Sequence, residues 1–196
     1  MTIRPVSARA TTLALSFAGA LSLGGCHRTT QGTPAPSRGE TAAGTAAGAT
    51  ATMRSSTGAS LGVLRLEPVA AGVRIAGTLT GLTPGEHGIH LHAVGRCEPP
   101  AFTSAGGHFN PTDKQHGLHN PAGPHAGDLP VIRANDAGVA TVDLTTPRVT
   151  LDSAATTGLF DADGTALVVH AGPDDQQSDP AGNSGARVAC GVVERA

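Results

Sequence analysis

From about Ala51 to the C-terminus, apolar residues tend to recur at every second position, in short runs separated by turns. "SLGVLRLEP" and "GVRIAGTLTGL" are two such runs, and "TPGEHG" (Thr83 to Gly88) reads as a turn leading into "IHLHAV". After a long gap come "LPVIRA", the turn "NDAG", then "VATVDLTT", "ALVVHAG" and "ARVACGVVE". Alternation places residues i and i+2 on one face of a strand, and glycine, proline and asparagine punctuate the segments. No stretch carries a convincing helical period, and no repeat of fixed length is present. The pattern predicts an all-β fold, a Greek-key barrel or sandwich of about eight antiparallel strands with long loops.

The first 50 of the 196 residues do not share this pattern. Met1 to Arg9 carries Arg4 and Arg9 and no acid, and "ATTLALSFAGALSL" (Ala10 to Leu23) is apolar but too short to remain as a membrane span. Residues 1–25 therefore read as a secretory signal. It ends in "LGGC" (Leu23 to Cys26), small residues before a cysteine in the pattern of a bacterial lipoprotein signal, which would leave Cys26 as a lipidated N-terminus. An ordinary signal cleaved nearby, with Cys26 incidental, is the alternative.

Residues 26–50 read as the lipidated N-terminus followed by a disordered linker, because "TTQGTPAPSRGETAAGTAAGAT" (Thr29 to Thr50) offers no apolar period and too little surface to bury. Such a coil reaches about 25 Å, enough to hold a domain clear of a lipid surface. The expected folded domain is 51–196, exported and lipid-anchored in a bacterial cell envelope, facing the periplasm or the exterior. The formal net charge is −2, and no nucleic-acid partner is expected.

Within the run "GIHLHAVGRC" (Gly88 to Cys97), His90 and His92 are two apart, so a strand would bring both imidazoles to one face. An isolated pair of this kind fits two solvated histidines equally well, and the rest of the chain decides. Residues Ala93 to Asp128 run for more than thirty positions with no strand pattern, which in a compact domain calls for a function or an internal fastening. This loop holds His108, His116, His119 and His125, together with Cys97 and Asp128. A structureless loop rich in ligands is best explained as one folded around a metal, because metal binding supplies the free energy of ordering.

Six segments in order, "GIHLH", "SAGGHFNP", "KQHG", "PHAGDLP", "LVVHAG" and "GNSGARVACGVV", resemble the copper-zinc superoxide dismutase family, in its bacterial, exported lipoprotein type. The resemblance covers essentially the whole folded domain. It implies a copper held by His90, His92, His108 and His170, and a zinc held by His108, His116, His125 and Asp128, with His108 bridging the two as an imidazolate. The chemistry agrees with that division. Three imidazoles and a carboxylate close a tetrahedron, as a structural zinc site requires, whereas an all-imidazole set with an approachable face suits copper that changes oxidation state.

The resemblance also implies a disulfide between Cys97 and Cys190, reasonable for an exported chain. Arg187 matches the arginine beside the copper, a fixed fork of donors for a small anion, and with His108 makes up the expected catalytic pair. Asp174 matches the aspartate that joins a copper ligand to a zinc ligand, here His90 and His116, although Asp175 could compete for the role. The implied activity is dismutation of superoxide to dioxygen and hydrogen peroxide, protecting the envelope, with one copper and one zinc per chain. Superoxide is the small-molecule substrate, the membrane is reached through the lipid on Cys26, and the protein is a monomer or a homodimer.

Two rivals accompany this reading: a domain of the same fold that binds metal without turnover, and an envelope metal buffer that uses the histidine loop as a sponge. His27, His87 and His119 match no ligand position and are expected to be solvated, with His119 the one near enough in sequence to replace His116. One departure from the family concerns charge. Asp174 to Ala186 is short and holds no lysine, and the chain's only lysine, Lys114, lies in the zinc loop, where it is a candidate for guiding the anion.

Overall fold

The computed structural model describes residues 48–196. The expected signal (1–25), His27, the lipidation site Cys26 and nearly all of the expected linker lie outside the described residues. Nine strands form one sheet: β1 (Ala49–Ser55), β2 (Ser60–Val69), β3 (Gly72–Leu79), β4 (Gly85–His87), β5 (Ile89–His92), β6 (Ile132–Ala134), β7 (Ala140–Thr146), β8 (Ala166–His170) and β9 (Arg187–Arg195). Among the described residues the only helical element is a single turn at Thr103–Ala105.

Their order across the sheet is β4-β6-β7-β3-β2-β1-β9-β8-β5, every neighbouring pair antiparallel. The two end strands, β4 and β5, are consecutive in the chain with only Gly88 between them. One residue cannot cross a flat sheet, so the sheet curls until its edges meet, and the fold is a nearly closed barrel.

Alternation drives the closure. Leu64 and Leu66 on β2, Val73 and Ile75 on β3, Ile89 and Leu91 on β5, and Leu167 and Val169 on β8 all point into one core. Their intervening neighbours on β2 and β3 face outward and are more exposed. The parity breaks at Leu61, where the pairing with β1 shifts between Met53 and Arg54, the signature of a bulge.

Strands β5 and β8 differ from the rest because they are buried on both faces. On β8, Ala166 and Val168 pack outward under Phe102, Ala105 and the disulfide half Cys190. The segment after β5 thus covers the outer wall of the barrel instead of leaving it in water. The Cys97–Cys190 disulfide, with Cα atoms 5.6 Å apart, bolts that segment to β9. For a closed loop of 93 residues, the chain-entropy limit of such a bond is about 4 to 5 kcal/mol.

Three details differ from the sequence reading. β1 begins at Ala49, two positions before the expected domain start, and its segment "ATATMRS" escapes the alternation pattern because alanine and threonine give little apolar contrast. The expected turn Thr83 to Gly88 contains β4, whose three residues pair with β6. Finally, His87 is buried, not solvated. Its Nδ1 lies 2.6 Å from the carbonyl of His170 and its Nε2 2.8 Å from that of Thr83, so it plugs the seam where the barrel closes.

Candidate metal centre

On β5, Ile89 and Leu91 face the core, which turns His90 and His92 to the opposite face, as alternation requires. The neighbouring β8 ends in His170. The long loop after β5 contains no strand, yet it is zipped to β5 at its middle and near its C-terminal end. Phe109 donates its N–H to Leu91 O at 2.8 Å, Leu91 donates to Gly127 O at 2.9 Å, and Gly127 donates to Phe109 O at 2.8 Å. These bonds carry His108 next to His92, and Asp128 next to His90.

Two clusters of ligating atoms result, sharing His108. In the first, His90, His92, His108 and His170 converge. His90 donates from Nε2 to Asp174 Oδ2 at 2.6 Å, which leaves Nδ1 bare. His92 donates from Nδ1 to Gly106 O at 3.0 Å, and His170 from Nδ1 to Gly185 O at 3.1 Å, leaving Nε2 bare in both. Those bare atoms, with His108 Nε2, are buried and have no hydrogen-bond partner. Buried polar atoms are rarely orphaned, and four lone pairs aimed at one another fit a cation.

Burial pushes these imidazoles down in pKa, His90 to about 3, His92 to about 2 and His170 to about 4, and His108 is lowered for the same reason. They are neutral and ready to ligate at pH 7.

In the second cluster, Asp128 Oδ1 lies 2.9 Å from His108 Nδ1, 3.0 Å from His116 Nδ1 and 3.2 Å from His125 Nδ1, and the last is 3.3 Å from His108 Nδ1. A tetrahedral ion with bonds near 2.0 Å separates its ligands by about 3.3 Å, so the spacing fits zinc. Asp128 Oδ2 is held apart by the N–H groups of Gly117 and His125, at 2.8 and 2.9 Å, leaving Oδ1 free to ligate. Burial drives His116 down, but its hydrogen bonds to Asp128 and Asp174 outweigh this and raise it to about 9. Burial likewise works against the Asp128 carboxylate, yet the three imidazoles hold it well below the usual carboxylate range.

Asp174 joins the clusters, with Oδ2 on His90 and Oδ1 3.0 Å from His116 Nε2. Asp175 is exposed and binds the backbone N–H groups of Gln177 and Ser178, so it does not compete. Gly182 lies behind this link at φ +60°, and a Cβ there would overlap Asp174 Oδ1 and come within 2.7 Å of His116 Nε2.

The first cluster opens through a cavity of about 410 Å³ lined by His92, His108, His170 and Arg187. Arg187 is oriented by the covering segment: Nη1 donates to Phe102 O at 2.7 Å and Nη2 to Gly106 O at 2.6 Å. His119 is exposed and belongs to neither cluster, and Lys114 is exposed on the loop that carries His116. Other clefts, of about 360 Å³ beside the disulfide and 530 Å³ beside the C-terminus, hold no such set of ligands.

Sequence reasoning does not single out the carbonyls of Gly106 and Gly185, which choose the ring nitrogens, or Gly182 and His87. Backbone acceptors leave no mark in a sequence, although "GGH" and "SGAR" hold two of the glycines in view.

A barrel wall carrying an open four-nitrogen site fused through one imidazole to a closed three-nitrogen, one-oxygen site defines a binuclear metalloprotein. Residues 60–193 match the family model described as copper/zinc superoxide dismutase (SODC), and the chain belongs to that family. Membership makes it an oxidoreductase of the superoxide dismutase class with copper and zinc as cofactors.

Among its relatives, Superoxide dismutase [Cu-Zn] 1 of Aquifex aeolicus is 50% identical over 138 residues, covering 70% of this chain and 82% of the relative. Superoxide dismutase [Cu-Zn] of Caulobacter vibrioides is 43% identical over 148 residues, covering 74% and 85%. The solved structure of a SOD-like protein from Bacillus subtilis superposes with a TM-score of 0.71 at 36% identity, covering 73% of this chain and 96% of that one. The Cu/Zn superoxide dismutase of Brucella abortus does so with a TM-score of 0.62 at 30% identity, covering 75% and 99%.

Proposed function

We propose that this chain dismutates superoxide at a copper held by His90, His92, His108 and His170, with zinc held by His108, His116, His125 and Asp128. The observation that carries the assignment is the set of four buried ring nitrogens left without partners, each chosen by a hydrogen bond or ion pair on the opposite nitrogen. Bound there, copper supplies the one-electron chemistry that turns two superoxide anions and two protons into dioxygen and hydrogen peroxide.

The protein's own groups do the remaining work. Arg187 faces the same cavity as His92, His108 and His170, and its guanidinium attracts and orients the anion. His108 Nε2 is the place where the protein holds and releases a proton beside the cavity, because its Nδ1 is committed to the Asp128 side. Asp174 keeps His90 and His116 in fixed orientation, so the two sites cannot drift apart. Lys114 adds a positive charge on the zinc loop and assists the approach from a distance.

We place this activity in the cell envelope. The reading rests on the signal pattern of residues 1–25, on Cys26 as the lipid site and on residues 26–50 as a tether to the domain. Metal analysis and stopped-flow superoxide decay on the purified protein test the catalytic reading. One copper and one zinc per chain with rapid decay are expected. Loose binding of several ions without decay would replace the enzyme by a metal buffer. For location, Cys26→Ser should move the processed protein from the membrane to the soluble fraction, and continued membrane fractionation would remove the lipid from the account.

A further inference from the structure

Among the described residues, two buried side-chain polar atoms outside the four bare nitrogens also lack a partner: Arg148 Nε, a donor, and Gln176 Oε1, an acceptor. Both residues attach to the same short piece of chain. Arg148, just after β7, donates from Nη2 to the main-chain carbonyl of Asp128. Gln176, between β8 and β9, donates from Nε2 to the carbonyl of Leu129 at 3.2 Å. Two consecutive peptides, Asp128–Leu129 and Leu129–Pro130, are therefore each gripped by a side chain, the two side chains coming from different connections of the barrel.

Gln176 reaches the metal centre a second way. Its N–H donates to Asp174 Oδ1 at 2.7 Å, the same oxygen that faces His116 Nε2. Its carbonyl accepts from His119 N–H at 3.0 Å. It does this with φ at +61°, a left-handed backbone that costs free energy in a residue other than glycine and persists where its surroundings enforce it. A Cβ at Gly117 would overlap that carbonyl, so the zinc loop passes directly against it.

We propose that Arg148 and Gln176 are positioning residues for the zinc carboxylate, a two-sided clamp that fixes the backbone from which Asp128 projects. The proposal rests on the reading of His108, His116, His125 and Asp128 as the zinc site. The physical reason is that Asp128 projects from the end of a long loop, and a ligand on such a segment keeps its aim only if the peptide itself is held. Hydrogen bonds to the carboxylate oxygens fix its direction; Arg148 and Gln176 fix its origin. Loss of either grip should let the carboxylate swing and speed escape of the ion. Groups that orient ligands from behind are worth about 10- to 100-fold in metal affinity.

The test uses the full-length, metal-loaded protein and four variants: Arg148→Met, Arg148→Lys, Gln176→Leu and Asp128→Ala. Zinc release to a chelator is timed, and cobalt placed in the zinc site reports ligand geometry through its visible spectrum. Unfolding of each metal-free variant is measured in parallel. Arg148→Met and Gln176→Leu should release zinc about tenfold faster with a shifted cobalt spectrum. Arg148→Lys, which retains a donor, should recover part of the loss.

Zinc release within twofold of wild type and an unchanged cobalt spectrum, alongside a fall in metal-free stability, would make both residues structural only and overturn the clamp. Asp128→Ala separates the two layers of argument. Its loss of zinc together with normal release from the other variants would refute the clamp and leave the zinc site standing, whereas full zinc in Asp128→Ala would refute both.

Discussion

The two halves of the metal centre proposed above, copper at one and zinc at the other, share His108 and are otherwise built from opposite materials. The copper half stands on the barrel wall: His90 and His92 lie on β5 and His170 ends β8. The zinc half, His116, His125 and Asp128, lies wholly in the loop between β5 and β6. The copper half is uncharged, with imidazoles pushed down by burial, whereas the zinc half gathers an ionised carboxylate and a His116 raised to about 9.

Strands are ordered by ladder hydrogen bonds whether or not an ion is present. A long loop is ordered by what it binds. The copper half is therefore preorganised by the fold, and the zinc half makes its ion part of the folding free energy.

Asp128→Ala should break the comparison most severely. It removes the only carboxylate of the zinc half and should lower zinc affinity by more than about 100-fold, beyond what indirect partners are worth. Hydrogen exchange should quicken across Ala93 to Asp128 while β5 and β8 stay protected. Full zinc at pH 7 with unchanged exchange would show that the loop holds the ion without its carboxylate.

Arg187 tests the opposite half. Arg187→Ala should keep both metals and slow dismutation by about tenfold, and Arg187→Glu should slow it further. Charge attraction acts over a Debye length of about 10 Å at 0.1 M salt, so the wild-type rate should fall as salt rises, and Arg187→Glu should lose or reverse that fall. Stopped-flow decay over a salt series, with metal content measured for each variant, reads both effects. An unchanged rate in fully metallated Arg187→Glu would move the anion path elsewhere.

Acidity should act in opposite directions on His116 and on the histidines of the copper half in the metal-free protein. His116 is raised above its ordinary value, from 6.5 to about 9, so its contribution to stability is complete below pH 6.5 and is lost as pH rises through 9. His90, His92 and His170 are lowered from 6.5, so below that pH the unfolded chain takes up protons that the folded chain resists, and stability falls with falling pH. Depressed Asp128 and Asp174 add to the acid-side loss. Urea unfolding of the metal-free protein should therefore show greatest stability near pH 6.5, and zinc should abolish the alkaline decline by taking the place of the His116 proton. A metal-free profile still rising from pH 7 to 9 would contradict the raised His116.

Lys114→Ala should give the smallest effect, a rate change below about twofold of the same sign as Arg187→Ala and visible only at low salt. The same salt series measures it, and a change as large as that of Arg187→Ala would make the loop lysine a principal guide.

Much of this centre is legible in the sequence. The alternation of "IHLH" assigns His90 and His92 to one face and their apolar neighbours to the core, and both hold in the barrel. The excess of ligands in a strandless loop points to a metal because metal binding supplies free energy of ordering. His87 shows where pattern alone fails. In sequence it sits beside a glycine in a turn, yet barrel closure places it between two carbonyls, one of them 83 positions away. Arg148 gives no signal either, since its partner is a main-chain oxygen 20 positions earlier in the chain.

Side-chain chemistry and spacing, which a sequence states outright, determined the ligand types, the face each strand residue takes and the presence of a metal loop. Which nitrogen of each ring is left bare is another matter. Asp174 decides it for His90 from 84 positions away, and the carbonyls of Gly106 and Gly185 decide it for His92 and His170. The two nitrogens of an imidazole are chemically near-equivalent until a hydrogen bond distinguishes them, and only the folded chain supplies that bond.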